Sequence, residues 1–422
     1  MSIRTSIITS ATRDGVTCNA RMRRLRFIAI VSAFTTFALI AVSSHLSRWI
    51  VVPRSPIYTL GNVQPPFLFP ASANWDGTRF VSIASEGYFY DPDRRSTVAF
   101  FPFYPLCAAI LSRIIPIGVS NALLLVANSA FVLSVLGILQ IATRRDEEGN
   151  VDNAALYTVF SVVLFPTSVF FRLCYSDALM LLLAVLLTLG MQRRWNVIIL
   201  ALIVGLASAT RPVGIGLTLP LLLHIWQNSD GWSGFATRCI VLLPLMCSGL
   251  IVYMIYLQVA FGDASAFATT QRHWWRRVPS SVSDHVIALA TLEPIRAVYD
   301  SSSAAYWGRG LIGTPMFSLR FANPIYFIAM LTLVAFGAWR RWLDTKDVLL
   351  SAAFLLIPYV SHSFQTCFAA EGRYSSIVFP AYIVAGRLLS ECHRIAVVLF
   401  FTYCIFMLAA YSALFAAWYD II

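Results

Sequence analysis

The feature that most constrains this chain is the recurrence of long apolar runs from Phe27 to the C-terminus, separated by short polar breaks. Read in windows of about 19 residues, the runs lie near 27–46, 119–142, 153–171, 174–191, 195–210, 213–227, 238–258, 321–338, 347–363, 376–389 and 395–418. Runs of this length satisfy their own backbone groups only as helices, because barrel strands alternate and are about half as long. The expected fold is an all-α polytopic membrane bundle of about eleven transmembrane helices. Charge supply agrees: 12% of the 422 residues are charged and 58% are hydrophobic, where a soluble domain carries about 25% charged residues. A cytosolic protein and a secreted enzyme with one anchor are both excluded.

The 31 Lys+Arg against 20 Asp+Glu give a net charge of +11, but the basic residues form no stripe of the kind that tracks a nucleic acid. No nucleic-acid partner is expected. The arginines gather instead in the breaks, as Arg21, Arg23, Arg24 and Arg26, then Arg144/Arg145, Arg193/Arg194 and Arg340/Arg341. Such clusters report topology. With the N-terminus cytoplasmic, 47–118 and 259–320 become extracytoplasmic loops. The later clusters then fall on the cytoplasmic side provided that 99–117, interrupted by Pro102, Pro105, Arg113 and Pro116, is an interfacial helix rather than a span. Residues 1–25 read as a basic cytoplasmic tail, disordered by its Ser, Thr and Arg content, and 26–422 as a single transmembrane domain. The eight cysteines form no CxxC pair and the six histidines no HxxxH pair, so no disulfide framework and no zinc site are expected.

Three intervals carry candidate chemistry. The first loop contains Asn74-Trp75-Asp76-Gly77-Thr78-Arg79 and then Glu86-Gly87-Tyr88, and a helix through 75–88 sets Asp76 and Arg79 three residues apart on one face. The second, Phe165 to Asp177, is a turn between two apolar runs with a polar end at Tyr175-Ser176-Asp177. The third holds Thr210-Arg211-Pro212 in otherwise apolar sequence. An arginine near mid-bilayer costs about 2.5–3.5 kcal/mol on insertion scales, so Arg211 is expected to face a wet cavity or an anion.

Five segments, taken in order, resemble the PIG-V family: Trp75 to Tyr88 followed by Phe100 to Pro105, Leu164 to Leu179, Gly205 to Ile215, Phe261 to Trp275 and Gly372 to Tyr382. That family comprises the GPI mannosyltransferase II enzymes and their bacterial relatives among the GT-C glycosyltransferases, and the similarity spans about 70–390. The resemblance implies a GT-C type bundle and an inverting transferase. It would move a hexose, mannose by family analogy, from a polyprenyl-phosphate-sugar donor to a lipid or glycan acceptor hydroxyl. The setting it implies is a bacterial inner membrane, with the site facing outward. It also implies Asp76 as the catalytic carboxylate, with Tyr175, Asp177 and Arg211 bordering the site. Asp177 stands where Glu is expected, and the acceptor does not carry over with the fold.

Inverting transfer needs a carboxylate to take the acceptor proton and cations to hold the departing phosphate. Asp76 fits the first role; its plainer alternative is a helix cap or an ion pair with Arg79. Arg211 and Arg373 fit the second, against a snorkelling arginine and a headgroup anchor. Arg79, Tyr175 and Asp177 are read as donor contacts or as a polar turn. Trp75, Tyr88, Gln271 and Trp274 are read as acceptor or loop contacts or, for Gln271 to Arg277, as an interfacial belt. No obligatory metal is expected, since arginines can offset a monophosphate. A flippase or transporter of lipid-linked sugars is the alternative, requiring the wet arginine but no base.

Overall fold

The computed structural model describes residues 2–56, 60–61, 63–145 and 151–419, with side chains from Ala20 onward and without those of 145, 151 and 152. The expectation for the tail 1–25 therefore lies largely outside the described side chains. The first half of the chain forms α1 (Ser2–Ile50), α2 (Asp76–Glu86), α3 (Phe103–Ile114), α4 (Val119–Arg145), α5 (Val151–Leu164), α6 (Asp177–Gln192), α7 (Val197–Thr210), α8 (Thr218–Gln227), α9 (Gly231–Met246) and α10 (Ser248–Phe261). The second half adds the short α11 (Ala266–Thr269), α12 (Val282–Ala290) and α13 (Glu293–Ala297), then α14 (Leu319–Trp339), α15 (Thr345–His362), α16 (Glu371–Ser375), α17 (Phe379–Glu391) and α18 (Arg394–Ala416). Among the described residues there is no strand, and the fold is all-helical.

Each apolar run is helical where the sequence places it. Against the eleven spans expected, the described residues hold four helices long and apolar enough to cross a membrane, α1 from Ala20, α4, α14 and α18, and up to six spans if each of two bent pairs counts as one. The protein is an integral membrane protein, and its outward faces carry Phe27, Phe34, Ile240, Val252, Val259 and Leu399 exposed, as a lipid-facing surface requires.

Two runs that hydropathy reads as continuous are broken. The run at 153–171 bends by 72° between α5 and the 3-10 turn Pro166–Arg172. Pro166 forces Phe165 out of helical geometry, to φ −54°, ψ 135°. The run at 238–258 bends by 47° between α9 and α10; Pro244 lies inside α9, where its ring removes a helical hydrogen bond just before the break. The interval 99–117 yields α3, twelve residues long, about 17 Å and too short to cross. It buries Tyr104 and Ala108 and leaves Leu106, Ile110 and Ile114 exposed, so it lies along the bundle with one apolar edge outward.

α6 is buried almost along its length, as a helix apolar on all sides must be. α4, α7 and the 3-10 turn Pro166–Arg172 pack against it. Arg172 ties α1 and α4 to this centre: it donates to the Ala33 carbonyl, to Thr36 Oγ1 at 3.2 Å and to Asn128 Oδ1 at 3.0 Å, with its guanidinium 4.2 Å from the Phe131 ring centroid. α17 packs on α5 through Gly386, where a Cβ would lie 2.1 Å from Thr158 Oγ1 and 2.5 Å from the Ala154 carbonyl oxygen. Close backbone approach at a small residue is how helices associate in lipid, where apolar burial gives no preference for a neighbouring helix over the tails. Gly386→Ala should therefore lower stability by about 1–3 kcal/mol, read as an earlier thermal unfolding transition of the detergent-solubilised protein, while Ala381→Gly in the same helix shows no such clash.

Candidate functional site

Four charged side chains from four separate chain segments meet beside the N-terminus of α6. Asp177, the first residue of α6, has a side chain with 0% exposure. Arg373 of α16 grips it from one side, donating from Nε to Oδ1 and Oδ2 at 3.1 and 3.0 Å and from Nη2 to Oδ2 at 2.7 Å. Arg211 grips it from the other, Nη1 donating to Oδ1. Arg373 then presents Nη1 to Asp76 Oδ2 at 2.8 Å. The cluster holds two carboxylates and two guanidinium groups, a neutral set if all four are charged.

The backbone places each group for a definable reason. Arg211 ends α7 because Pro212 follows it; a residue before proline is driven to extended geometry, and Arg211 has φ −156°, ψ 150°. The chain then folds back so tightly that a Cβ on Gly214 would lie 2.1 Å from the Ala207 carbonyl oxygen. Arg373 is positioned through Gly372, whose N–H donates to Asn323 Oδ1 at 3.1 Å and whose carbonyl accepts from Thr167 Oγ1 at 3.0 Å. Asp76 is latched to the start of α6: its N–H donates to Tyr175 Oη at 3.2 Å, and the Cys174 N–H donates to the Ser72 carbonyl at 3.0 Å. Trp75 and Ala370, directly before α2 and α16, both occupy positive φ, 56° and 64°. Non-glycine residues held there cost about 1–3 kcal/mol and collect at functional sites.

Exposure rises across the cluster, from Asp177 at 0% through Arg373 at 5% and Arg211 at 12% to Asp76 at 26%. Asp177 is therefore the inner anchor and Asp76 the carboxylate that an arriving molecule can reach. Tyr175 lies beneath the cluster with its ring centroid 4.4 Å from Arg373 Cζ, and Tyr374 lies 4.8 Å from Arg211 Cζ. Trp75 packs on Trp418 at 5.5 Å, and its buried Nε1 has no partner among the described residues.

Tyr88 and Trp274 make their contacts outside the ion cluster. Tyr88 joins Tyr253 and Tyr256, and its hydroxyl donates to the Phe100 carbonyl at 2.8 Å. Trp274 packs on Phe100 at 6.3 Å and lies 5.5 Å from Arg95 Cζ. Gln271 is exposed and Arg79 half-buried on α2. Asp76 has a long-range partner in Arg373, which spacing along the sequence does not reveal. Among the described residues no group of three or more His, Cys, Asp or Glu side chains could hold a metal ion.

Sequence reading passed over Glu371. Its side chain is 1% exposed, its Oε1 lies 3.8 Å from His362 Nε2, and both atoms are buried without a hydrogen-bond partner. Burial pushes the Glu371 carboxyl well above the usual carboxylate range, so the folded protein favours its protonated form.

No family model matches the chain, and no curated protein does. Among solved structures, ArnT from Cupriavidus metallidurans in the apo state is similar at 15% identity over 90% of this chain and 61% of that one, with a TM-score of 0.47. The same protein bound to undecaprenyl phosphate is similar at 15% identity over 86% and 60%, TM-score 0.46. The apo Archaeoglobus fulgidus oligosaccharyltransferase is similar at 13% identity over 92% and 56%, TM-score 0.44. The chain thus spans about three fifths of the length of these proteins.

Two expectations follow from the geometry. Asp177→Ala leaves two arginines facing each other in a buried site and should cost about 3–5 kcal/mol, whereas Asp76→Asn, at the exposed edge, should leave the thermal transition nearly unchanged; equal losses in both variants would remove the distinction between anchor and reachable carboxylate. For Glu371 the raised folded pKa means that its contribution to stability is full below the unfolded value of about 4.3 and is lost as pH rises through the folded value. Glu371→Gln should flatten that decline in unfolding temperature, measured as pH is raised above the unfolded value.

Proposed function

We propose that the protein is an inverting GT-C type glycosyltransferase that moves a hexose, mannose by the PIG-V resemblance, from a polyprenyl-phosphate-sugar donor to an acceptor hydroxyl on the extracytoplasmic face. The observation that carries the reading is the Asp76–Arg373–Asp177–Arg211 cluster, in which the most exposed member is a carboxylate and the next is an arginine. In the reaction the acceptor oxygen bonds to the anomeric carbon from the face opposite the phosphate. Its proton passes to Asp76, and the bond between that carbon and the phosphate oxygen breaks with its electron pair on the oxygen.

Each residue has a distinct part. Arg211 keeps donors beyond the Nη1 it gives to Asp177, and a guanidinium can meet a phosphate through two parallel hydrogen bonds. Arg373 holds one oxygen of Asp76 and so fixes the direction of the other. Asp177 orients both arginines, and Tyr175 fixes the Asp76 backbone. With the phosphate charge met by guanidinium groups, no obligatory metal is required.

The test is transfer of radiolabelled mannose from polyprenyl-phosphate-mannose to candidate acceptors by the purified protein. Wild type should form product in the presence of chelator. Asp76→Asn should lose about 10²–10⁴-fold in rate with its unfolding temperature retained, and Arg211→Lys should lose rate through the bidentate contact it cannot make. Movement of the labelled lipid across a vesicle bilayer without any product would instead identify a transporter, and activity that disappears with chelator and returns with manganese would overturn the metal-free scheme.

A further inference from the structure

At the opposite end of α6 from Asp177 lies an open concavity of about 490 Å³ whose lining includes Arg144, Gln192, Arg341, Trp342, Asp344 and Arg387. The sixteen residues of α6 set Gln192 about 22 Å from Asp177, so this cavity is separate from the ion cluster. It opens where α4, α6 and α14 end and α15 begins, which is where helices of an integral membrane protein reach the polar boundary of the bilayer.

The lining brings cations from three elements into one concavity: Arg144 from the last turn of α4, Arg341 from the turn between α14 and α15, and Arg387 from α17. Trp342 forms a wall, with Arg387 Cζ 5.5 Å and Arg340 Cζ 5.4 Å from its ring centroid. The carboxylate in the lining, Asp344, is engaged in capping α15: Oδ1 accepts the Asp347 N–H at 2.9 Å and Asp347 Oδ2 accepts the Asp344 N–H at 3.2 Å. Gln192 Oε1 is buried with no partner among the described residues. A ligand hydroxyl would satisfy it, or the amide, turned over, would offer N–H to an anionic oxygen. Arginines near helix ends suit the macrodipole wherever they fall. What is particular here is their convergence, with an indole wall and an orphaned amide, on a volume of the size that small ligands occupy.

We propose that this cavity binds a phosphoryl group carrying hydroxylated substituents, the chemistry shared by the headgroup of an anionic phospholipid and by free inorganic phosphate. Guanidinium groups match phosphate oxygens two at a time, and basic pockets between membrane helices are where phosphorylated headgroups are held. The proposal does not depend on the transferase reading.

The full-length protein, purified in detergent, is analysed by native mass spectrometry with phosphatidylglycerol and with phosphatidylcholine, and by thermal shift with each lipid and with inorganic phosphate. Wild type should retain phosphatidylglycerol at least about tenfold better than phosphatidylcholine, and each of Arg341→Gln and Arg144→Gln should weaken retention by about tenfold, the loss of one charge-assisted contact. Gln192→Leu, which removes the amide and no charge, should weaken it less and keep the fold. A thermal shift with phosphate equal to that with the lipid assigns the site to free phosphate; a response to lipid alone assigns it to the headgroup. Unchanged retention in the arginine variants overturns the proposal. So does binding that appears only after Asp146, Glu147 and Glu148, next to Arg144 in sequence, are replaced by amides, because the chain's own carboxylates would then be what the arginines meet.

Discussion

The buried Asp177 carboxylate governs the geometry around it. A charge fully removed from water is tolerable only with excellent compensation, and here that compensation comes from arginines 34 and 196 residues away along the chain. Holding Asp177 therefore fixes α7, α16 and the start of α6 relative to one another. It also determines how Arg373 approaches Asp76, 297 residues away. The accessible carboxylate owes its surroundings to an inaccessible one.

The charged groups stand at helix ends or on the five-residue α16 rather than in the middles of long helices. Arg211 is the extended residue before a proline, Asp76 follows Trp75 at positive φ, and Arg373 follows a left-handed Ala370 by three positions. In a membrane, irregular backbone at depth is tolerated where it is buried in protein or lines a cavity. Long helices supply the frame, and the breaks aim side chains that a continuous helix would point into lipid.

What the sequence disclosed and what it withheld follow from the range of the interactions involved. Apolar runs are local, so the helices, and the individual singularity of Asp76, Asp177, Arg211 and Arg373, were legible. Their association was not, because spacing exposes only neighbours: Arg79, three residues on, offered a partner for Asp76, while Arg373 lies on a different helix. Glu371 was hidden by its own neighbour. Beside Arg373 in sequence it looks like half of an ion pair, yet residues two apart on a helix do not share a face, and the carboxyl is turned toward His362. The bends at Phe165 and Cys247 escaped for another reason, since a hydropathy average is blind to a single proline.

The charge balance of the cluster bears on how the proposed transfer would run. With both carboxylates ionised the four groups sum to zero, so a phosphate is attracted by the oriented donors left on Arg211 more than by excess positive charge. When Asp76 accepts the proton of the acceptor, its charge disappears and the cluster becomes net positive by one. In the same step the bridging oxygen departs with its electrons, and the phosphate gains one negative charge. Attraction thus grows with the charge that develops, which is the condition for stabilising a transition state more than the bound substrate. Asp177 cannot serve as the base in this scheme. Neutralising it would release both arginines from their anchor when their direction matters most, and its 0% exposure leaves no approach for an acceptor hydroxyl. In the proposed scheme, burial and the hold on both arginines together separate the carboxylate that takes the proton from the one that does not.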